Sequence, residues 1–174
     1  KSLAALALAL CTLGATGCDN VSVTFKGPSI ELPGFNYNSN KLNPLQISGE
    51  EKWHTGDFQG ALEDFDKLIK EEPNNAYAFP SRGSALLKLD KPQEAMDDTN
   101  KALELNPNIA KAYETRGVAK AMMGNQGGAL LDYNRAIEIN ENFSSAYTNR
   151  GAVKSDLGNY KGALVDFNKA LEID

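Results

Sequence analysis

"AYETRGVAKAMMGNQGGALLDYNRAIEINEN", residues 112–142, holds two amphipathic stretches on either side of a turn. Ala112, Tyr113, Gly117, Val118 and Ala121 recur at three- and four-residue steps, the period of one helical face. "GNQG" at 124–127 breaks that period with turn residues. Ala129, Leu130, Tyr133, Ala136, Ile137 and Ile139 then resume it until "NEN" closes the stretch. The same plan stands 34 residues upstream and 34 residues downstream. Gly49, Gly83, Gly117 and Gly151 share that interval, as do Ala61, Ala95, Ala129 and Ala163, and then Leu68, Ala102, Ala136 and Ala170. A catalytic motif is written once, whereas self-similarity at a fixed period marks stacked supersecondary units.

Four copies follow without an insertion: 42–75, 76–109, 110–143 and 144–174. Each predicts two helices, at 43–55 and 58–71, 77–89 and 92–105, 111–123 and 127–139, 145–157 and 160–173. Pro80 and Pro92 fall in first turns, where the missing N–H is not needed, and Pro107 follows a helix it cannot continue. The small residues read as packing: Gly on the first helix is expected to face Ala on the second, and the third small residue to let the next pair stack. One pair cannot bury its apolar face alone, so the fold class is all-α, a right-handed α-solenoid of four stacked helix-turn-helix repeats.

These residues resemble the tetratricopeptide repeat. That pattern asks for a large or aromatic residue at the fourth position, and here it is Leu45, Phe79, Tyr113 and Tyr147. It asks for an aromatic further on, met by Phe65, Tyr133 and Phe167 but not by Thr99, and for a closing proline, met by Pro73 and Pro107 but not by Glu141. Two departures stand out. The seventh position, where the family has Leu, is Ser48 and then Arg82, Arg116 and Arg150, and the eleventh is Lys52, Leu86, Lys120 and Lys154. Sixteen residues after each arginine comes an acid: Asp98, Asp132 and Asp166. Facing helices predict an Arg–Asp ladder that sets helix register, with Asp64 of the arginine-less first repeat reaching a neighbour's arginine. The alternative is a solvated charged face, worth about 0–1 kcal/mol per pair.

The front of the chain differs in kind. "KSLAALALALCTLGATGC" has one positive residue, an Ala/Leu run from Leu3 to Thr16, and small residues before Cys18, which is the layout of a signal peptide. The run is shorter than the about 17–25 residues of a membrane-spanning helix. Ala15, Thr16, Gly17 and Cys18 resemble a bacterial lipobox, whose cysteine becomes the lipid-bearing first residue, although Ala15 stands where Leu is usual. Ordinary cleavage after Ala15 or Gly17, and an apolar tail that is no signal, are the alternatives. The organisation read from this is a signal peptide at 1–18, a flexible tether at 19–41 rich in Gly, Pro, Asn and Ser, and the repeat domain at 42–174. Localisation follows: the cell envelope, membrane-anchored through Cys18 and facing away from the cytoplasm, in a periplasm or lumen.

Charge excludes one class of partner. The chain carries 18 basic and 23 acidic residues, a formal charge of −5, and losing the signal removes only Lys1. Such a domain has no electrostatic footprint for nucleic acid. His54 is the single histidine, and Cys11 and Cys18 both fall in the signal, so no metal site or nucleophilic pair is expected. The glycines at 124, 127 and 128 lack the Lys and Ser/Thr of a phosphate-binding loop. No cofactor and no enzymatic activity are expected.

Surface remains. In the family that this chain resembles, the first helices line a concave groove, which implies partner-binding roles for Trp53, Tyr77, Ser84, Leu87, Lys88, Lys111, Val118 and Met122. Trp53, Tyr77, Leu87, Val118 and Met122 supply apolar anchors, and Lys88 with Lys111 is expected to hold one acidic group. Chaperone-tail binders of the family grip a terminal carboxylate at places occupied here by Gln46, Glu50, Ser81, Lys111 and Thr115, of which only the lysine matches. An internal peptide segment suits the letters better. Two functions stay open: a membrane-anchored adaptor for complex assembly, which the Arg-Gly style of repeat shared with cyanobacterial proteins favours, and a receptor subunit for small peptides or cell-wall material. Asp174 follows the last helix without a capping helix, so Leu171 and Ile173 are expected to be partly uncovered; either the gene product continues, or another copy or a partner covers this end, a second interface or a route to a homo-oligomer.

Overall fold

The computed structural model describes residues 43–173, and the signal, lipidation and tether readings lie outside them. Eight helices fill the described residues: α1 Pro44–Thr55, α2 Phe58–Glu71, α3 Ala78–Lys88, α4 Pro92–Leu105, α5 Ala110–Met122, α6 Gln126–Ile139, α7 Ser144–Asp156 and α8 Tyr160–Ile173. Each end falls within one residue of the range that the periodicity predicts. Helices pair within a repeat and stack between repeats, and the first helices α1, α3, α5 and α7 also touch in series. The result is an all-α, right-handed solenoid of helix-turn-helix repeats.

The turn inside each repeat is one device built four times. The backbone turns left-handed at Gly56, Asp90, Gly124 and Gly158, with φ of 86°, 59°, 80° and 78°. The next amide then reaches back over the helix end: Asp57 to Lys52 O at 2.9 Å, Lys91 to Leu86 O at 3.0 Å, Asn125 to Lys120 O and Asn159 to Lys154 O at 2.8 Å. Glycine tolerates that conformation at no steric cost, and Asp90 is a residue type that accepts it. The following helix is capped at once. Asp57, Asn125 and Asn159 accept from the amides of Gly60, Gly128 and Gly162 at 2.9, 2.9 and 3.0 Å. Lys91 has no capping side chain, and Pro92 starts α4 in its place.

Glycines on the first helices make room for rings. A Cβ on Gly49 would lie 2.8 Å from the Phe65 ring, one on Gly117 2.5 Å from Tyr133, and one on Gly151 2.8 Å from Phe167. This corrects the expectation that glycine faces the alanine of the second helix. The aromatic lies four residues beyond that alanine, one helical turn on, and fills the larger space. In the second repeat Thr99 replaces the ring, and a Cβ on Gly83 would meet Thr115 first, at 3.2 Å. The alanines act between repeats instead. Ala61, Phe65 and Leu68 form a core with Ala78 and Ala85 of α3, and Ala102 forms one with Ile109, just before α5, and Ala112 of α5.

The two kinds of glycine separate in a mutation. Gly117→Ala, driven against a fully buried tyrosine, is expected to cost about 1–3 kcal/mol in urea unfolding as an overpacked core. Gly83→Ala, which meets first only a methyl that can give slightly, is expected to cost less than half as much.

Candidate functional site

Behind the inner surface runs a ladder of ion pairs. Arg82, Arg116 and Arg150 each lie on the first helix of a repeat, and their Nε and Nη2 atoms both donate to one carboxylate on the second. Arg116 reaches Asp132 at 2.9 and 2.7 Å, Arg150 reaches Asp166 at 2.9 and 2.6 Å, and Arg82 pairs with Asp98 in the same bidentate way. The remaining nitrogen, Nη1, crosses to the preceding repeat, donating to Asp66 at 2.8 Å, Asn100 at 2.9 Å and Asn134 at 2.7 Å. Each guanidinium also lies over an aromatic ring one turn earlier: Phe79 at 5.9 Å, Tyr113 at 5.2 Å and Tyr147 at 5.3 Å.

Asp64 behaves otherwise than the spacing suggests. It accepts from Ser48 Oγ and Lys52 Nζ of its own repeat, both at 2.6 Å, and meets no arginine. Arg82 reaches the first repeat at Asp66 instead. Two residues turn a helix by about 200°, so Asp64 points into its own hairpin while Asp66 points on to the next. Asp66, Asn100 and Asn134 were not singled out in the sequence, although they carry the 34-residue period like every other rung.

A second cation joins the buried acid wherever the eleventh position is lysine. Lys120 meets Asp132 and Lys154 meets Asp166 at 2.7 Å, and Lys52 meets Asp64 at 2.6 Å. The second repeat has Leu86 there. Its acid titrates differently: burial pushes the Asp98 carboxyl above its ordinary value, the hydrogen bonds from Arg82 offset this only in part, and nearby Asp66 and Asp97 add to the rise. For Asp64 and Asp166 burial also pushes upward, but their hydrogen bonds outweigh it, from Lys52 and Ser48 in one case and Arg150 and Lys154 in the other, and leave both below the ordinary value.

On the inner surface the proposed contacts divide. Trp53 packs on the Ala61–Phe65–Leu68 core and edge-on to Phe58, ring centroids 6.3 Å apart, with its indole N–H buried and unpartnered. Tyr77 packs beside Ala76, Phe79 and Ala102, and its hydroxyl accepts from Asn106 at 3.4 Å. Val118 leans on Ala129, Tyr133 and Val153. These three are half-buried, so they brace the repeats more than they offer area. Leu87 is half-buried, while Lys88 and Met122 are exposed. Ser84 donates to the Pro80 carbonyl at 2.9 Å.

Lys111 is not available to share an acidic group with Lys88. It donates to Glu114 at 2.9 Å, and Asn149 of the next repeat donates to the same carboxylate at 2.7 Å. Glu114 is buried on the inner side, a feature whose signal in the sequence was only a Lys and a Glu three residues apart on one helix. Among the described residues no cluster of three or more His, Cys, Asp or Glu is placed to hold a metal, and no helix is long and apolar enough to cross a membrane.

Two family models of the tetratricopeptide repeat match the chain, over residues 81–109 and 144–174. The chain is a tetratricopeptide-repeat protein. Among solved structures, the first TPR of Spaghetti (RPAP3) bound to the HSP90 peptide SRMEEVD is 28% identical, covering 66% of this chain and 90% of that one with a TM-score of 0.60. MamA 41-end from Desulfovibrio magneticus RS-1 is 25% identical over 75% of this chain and 73% of that one, TM-score 0.62. TTC0263, a thermophilic TPR protein in Thermus thermophilus, shares the fold at 22% identity, TM-score 0.71, over 76% of this chain and 73% of that one. No curated protein matches. Tetratricopeptide repeats are protein-interaction modules.

Two measurements test the ladder. Asp132→Ala, which strands Arg116 and Lys120 beside an empty buried site, is expected to cost about 3 kcal/mol, whereas Asn100→Ala, an exposed rung, costs about 1 kcal/mol or less. In an NMR titration of carboxyl carbons, Asp98 is expected to protonate before Asp64 and Asp166 on acidification. The lowered pair contribute stability that is complete above the ordinary carboxylate value of about 3.9 and is lost as pH falls through their own values. Asp98 acts in reverse, favouring the folded state below that value and ceasing to do so as pH rises through its raised one.

Proposed function

We propose that this chain is a membrane-anchored adaptor of the cell envelope that holds an internal peptide segment of a client protein in its inner groove during complex assembly. The observation that carries the binding mode is the charge of that groove. Glu50 and Glu114 place carboxylates on the inner side, and Glu114 takes up Lys111, the one lysine at a carboxylate-gripping place. A client ending in a carboxylate finds no free lysine at that place. An internal segment that covers Leu87, Val118 and Met122 needs none. The anchoring rests on the lipobox-like Ala15–Cys18 and on the tether at 19–41.

Both halves have a direct test. Leu87→Ser with Met122→Ser alters the groove while sparing Trp53 and Tyr77, so it is expected to stay folded and to lose about tenfold in affinity for a client peptide. Selection of peptides on the native protein, followed by titration of both forms, reads this out. Equal affinity in both forms would remove the groove from the proposal. For the anchor, Cys18→Ser is expected to abolish labelling by radioactive palmitate and to move the protein from the membrane fraction. Unchanged labelling would exclude lipidation at Cys18.

A further inference from the structure

Five residues after the glycine of each first helix stand His54, Lys88, Met122 and Asp156. All four are exposed, and since α1, α3, α5 and α7 touch in series, they form one row along the inner surface. The repeat period makes the four places equivalent, yet the side chains differ in charge. A cation in the second repeat and an anion in the fourth flank an apolar side chain in the third, Met122, 45% exposed.

Neighbouring charges are already engaged. Lys111 donates to Glu114, Gln46 donates to Glu50, and Lys154 pairs with Asp166. Lys88 and Asp156 enter no ion pair among the described residues. The fold accounts for only one of them. Lys88 ends α3, where a cation suits the negative end of the helix dipole. Asp156 ends α7, where that same negative end opposes a carboxylate, and no cation of the described residues pairs with it to offset the repulsion. A charge that works against its own helix and has no partner in the fold points to a partner outside it.

We infer that the client segment held in the inner groove carries an acidic and a basic residue on either side of an apolar one. The acid meets Lys88, the apolar side chain covers Met122, and the base meets Asp156. This rests on the groove reading proposed above and adds the chemistry of its occupant. Packed helices lie about 8–10 Å apart, so Lys88 and Asp156, two helices apart, are separated by about 16–20 Å. An extended segment rises about 3.3 Å per residue, which puts its two charges about five or six residues apart.

The experiment uses a library of random segments displayed within a carrier protein, so that no end is free. Segments are selected on the native full chain, on Lys88→Glu, on Asp156→Lys and on the double variant. The native chain is expected to enrich opposite charges flanking an apolar residue at that spacing. Lys88→Glu is expected to enrich two basic flanks, Asp156→Lys two acidic ones, and the double variant opposite charges again. A native-selected segment, synthesised with blocked ends, is expected to bind either single variant about tenfold more weakly and to lose affinity as salt is added. Asp156→Lys is expected to melt slightly above the native chain, because it corrects the charge at the helix end. Weaker binding with greater stability separates a binding role from a structural one, and a lower melting temperature would place Asp156 in the service of the fold and overturn the inference. Segments that bind all four chains equally, yet are lost by Leu87→Ser with Met122→Ser, overturn the charge pattern and leave the groove standing. Selection that enriches nothing, or segments indifferent to every one of these substitutions, overturns the groove reading and this inference with it.

Discussion

The guanidinium groups of Arg82, Arg116 and Arg150 are each held from three directions: by a carboxylate of their own hairpin, by a side chain of the preceding hairpin, and by an aromatic ring beneath. A solenoid is nearly one-dimensional, and each repeat contacts only its neighbours. A group that fastens one hairpin internally and reaches the hairpin before it therefore couples the two scales on which such a fold is stable. The planar fork of arginine suits this, because two of its donors satisfy one carboxylate while a third points elsewhere. Lysine at the same place would supply a point charge without that fixed geometry. Burial raises the stakes, since an acid such as Asp166, 1% exposed, destabilises the fold unless its oxygens are engaged.

The repeats are not equivalent around that ladder. The first lacks the arginine and also lacks the ring it would lie on, with Leu45 in place of the aromatic, and Ser48 and Lys52 hold Asp64 instead. The second keeps its arginine but has Leu86 for lysine, Thr99 for the ring under the glycine, and Asp90 in the left-handed turn. Its acid is consequently one whose burial is left undercompensated. The third and fourth repeats carry every part, and the large apolar side chains left open to solvent are concentrated there. The better-fastened half of the molecule is thus the half that presents sticky surface, and a rigid base lowers the ordering cost when a partner covers it.

The inner surface has a chemistry of its own. The inner groove combines adaptable contacts, Leu87 and Met122, with a buried acidic centre at Glu114 that the neighbouring repeat's Asn149 helps to hold.

Much of this was legible in the letters. A period of 34 without insertions, glycine at the turns and apolar residues at helical steps determined the helices, their ends and the order in which they stack. So did the pairing of each arginine with the acid sixteen residues later, because both recur in step and hairpin helices must face each other. Periodicity says which residues are equivalent, but not which way each one points. Whether Gly117 opposed Ala129 or Tyr133, whether Arg82 crossed to Asp64 or Asp66, and whether Lys111 stayed open to a ligand or closed on Glu114 depended on rotations of about 100° per residue and on which groups competed for the same space. Those outcomes belong to the packed helices, where a single turn decides whether a side chain meets its own hairpin, the next one, or solvent.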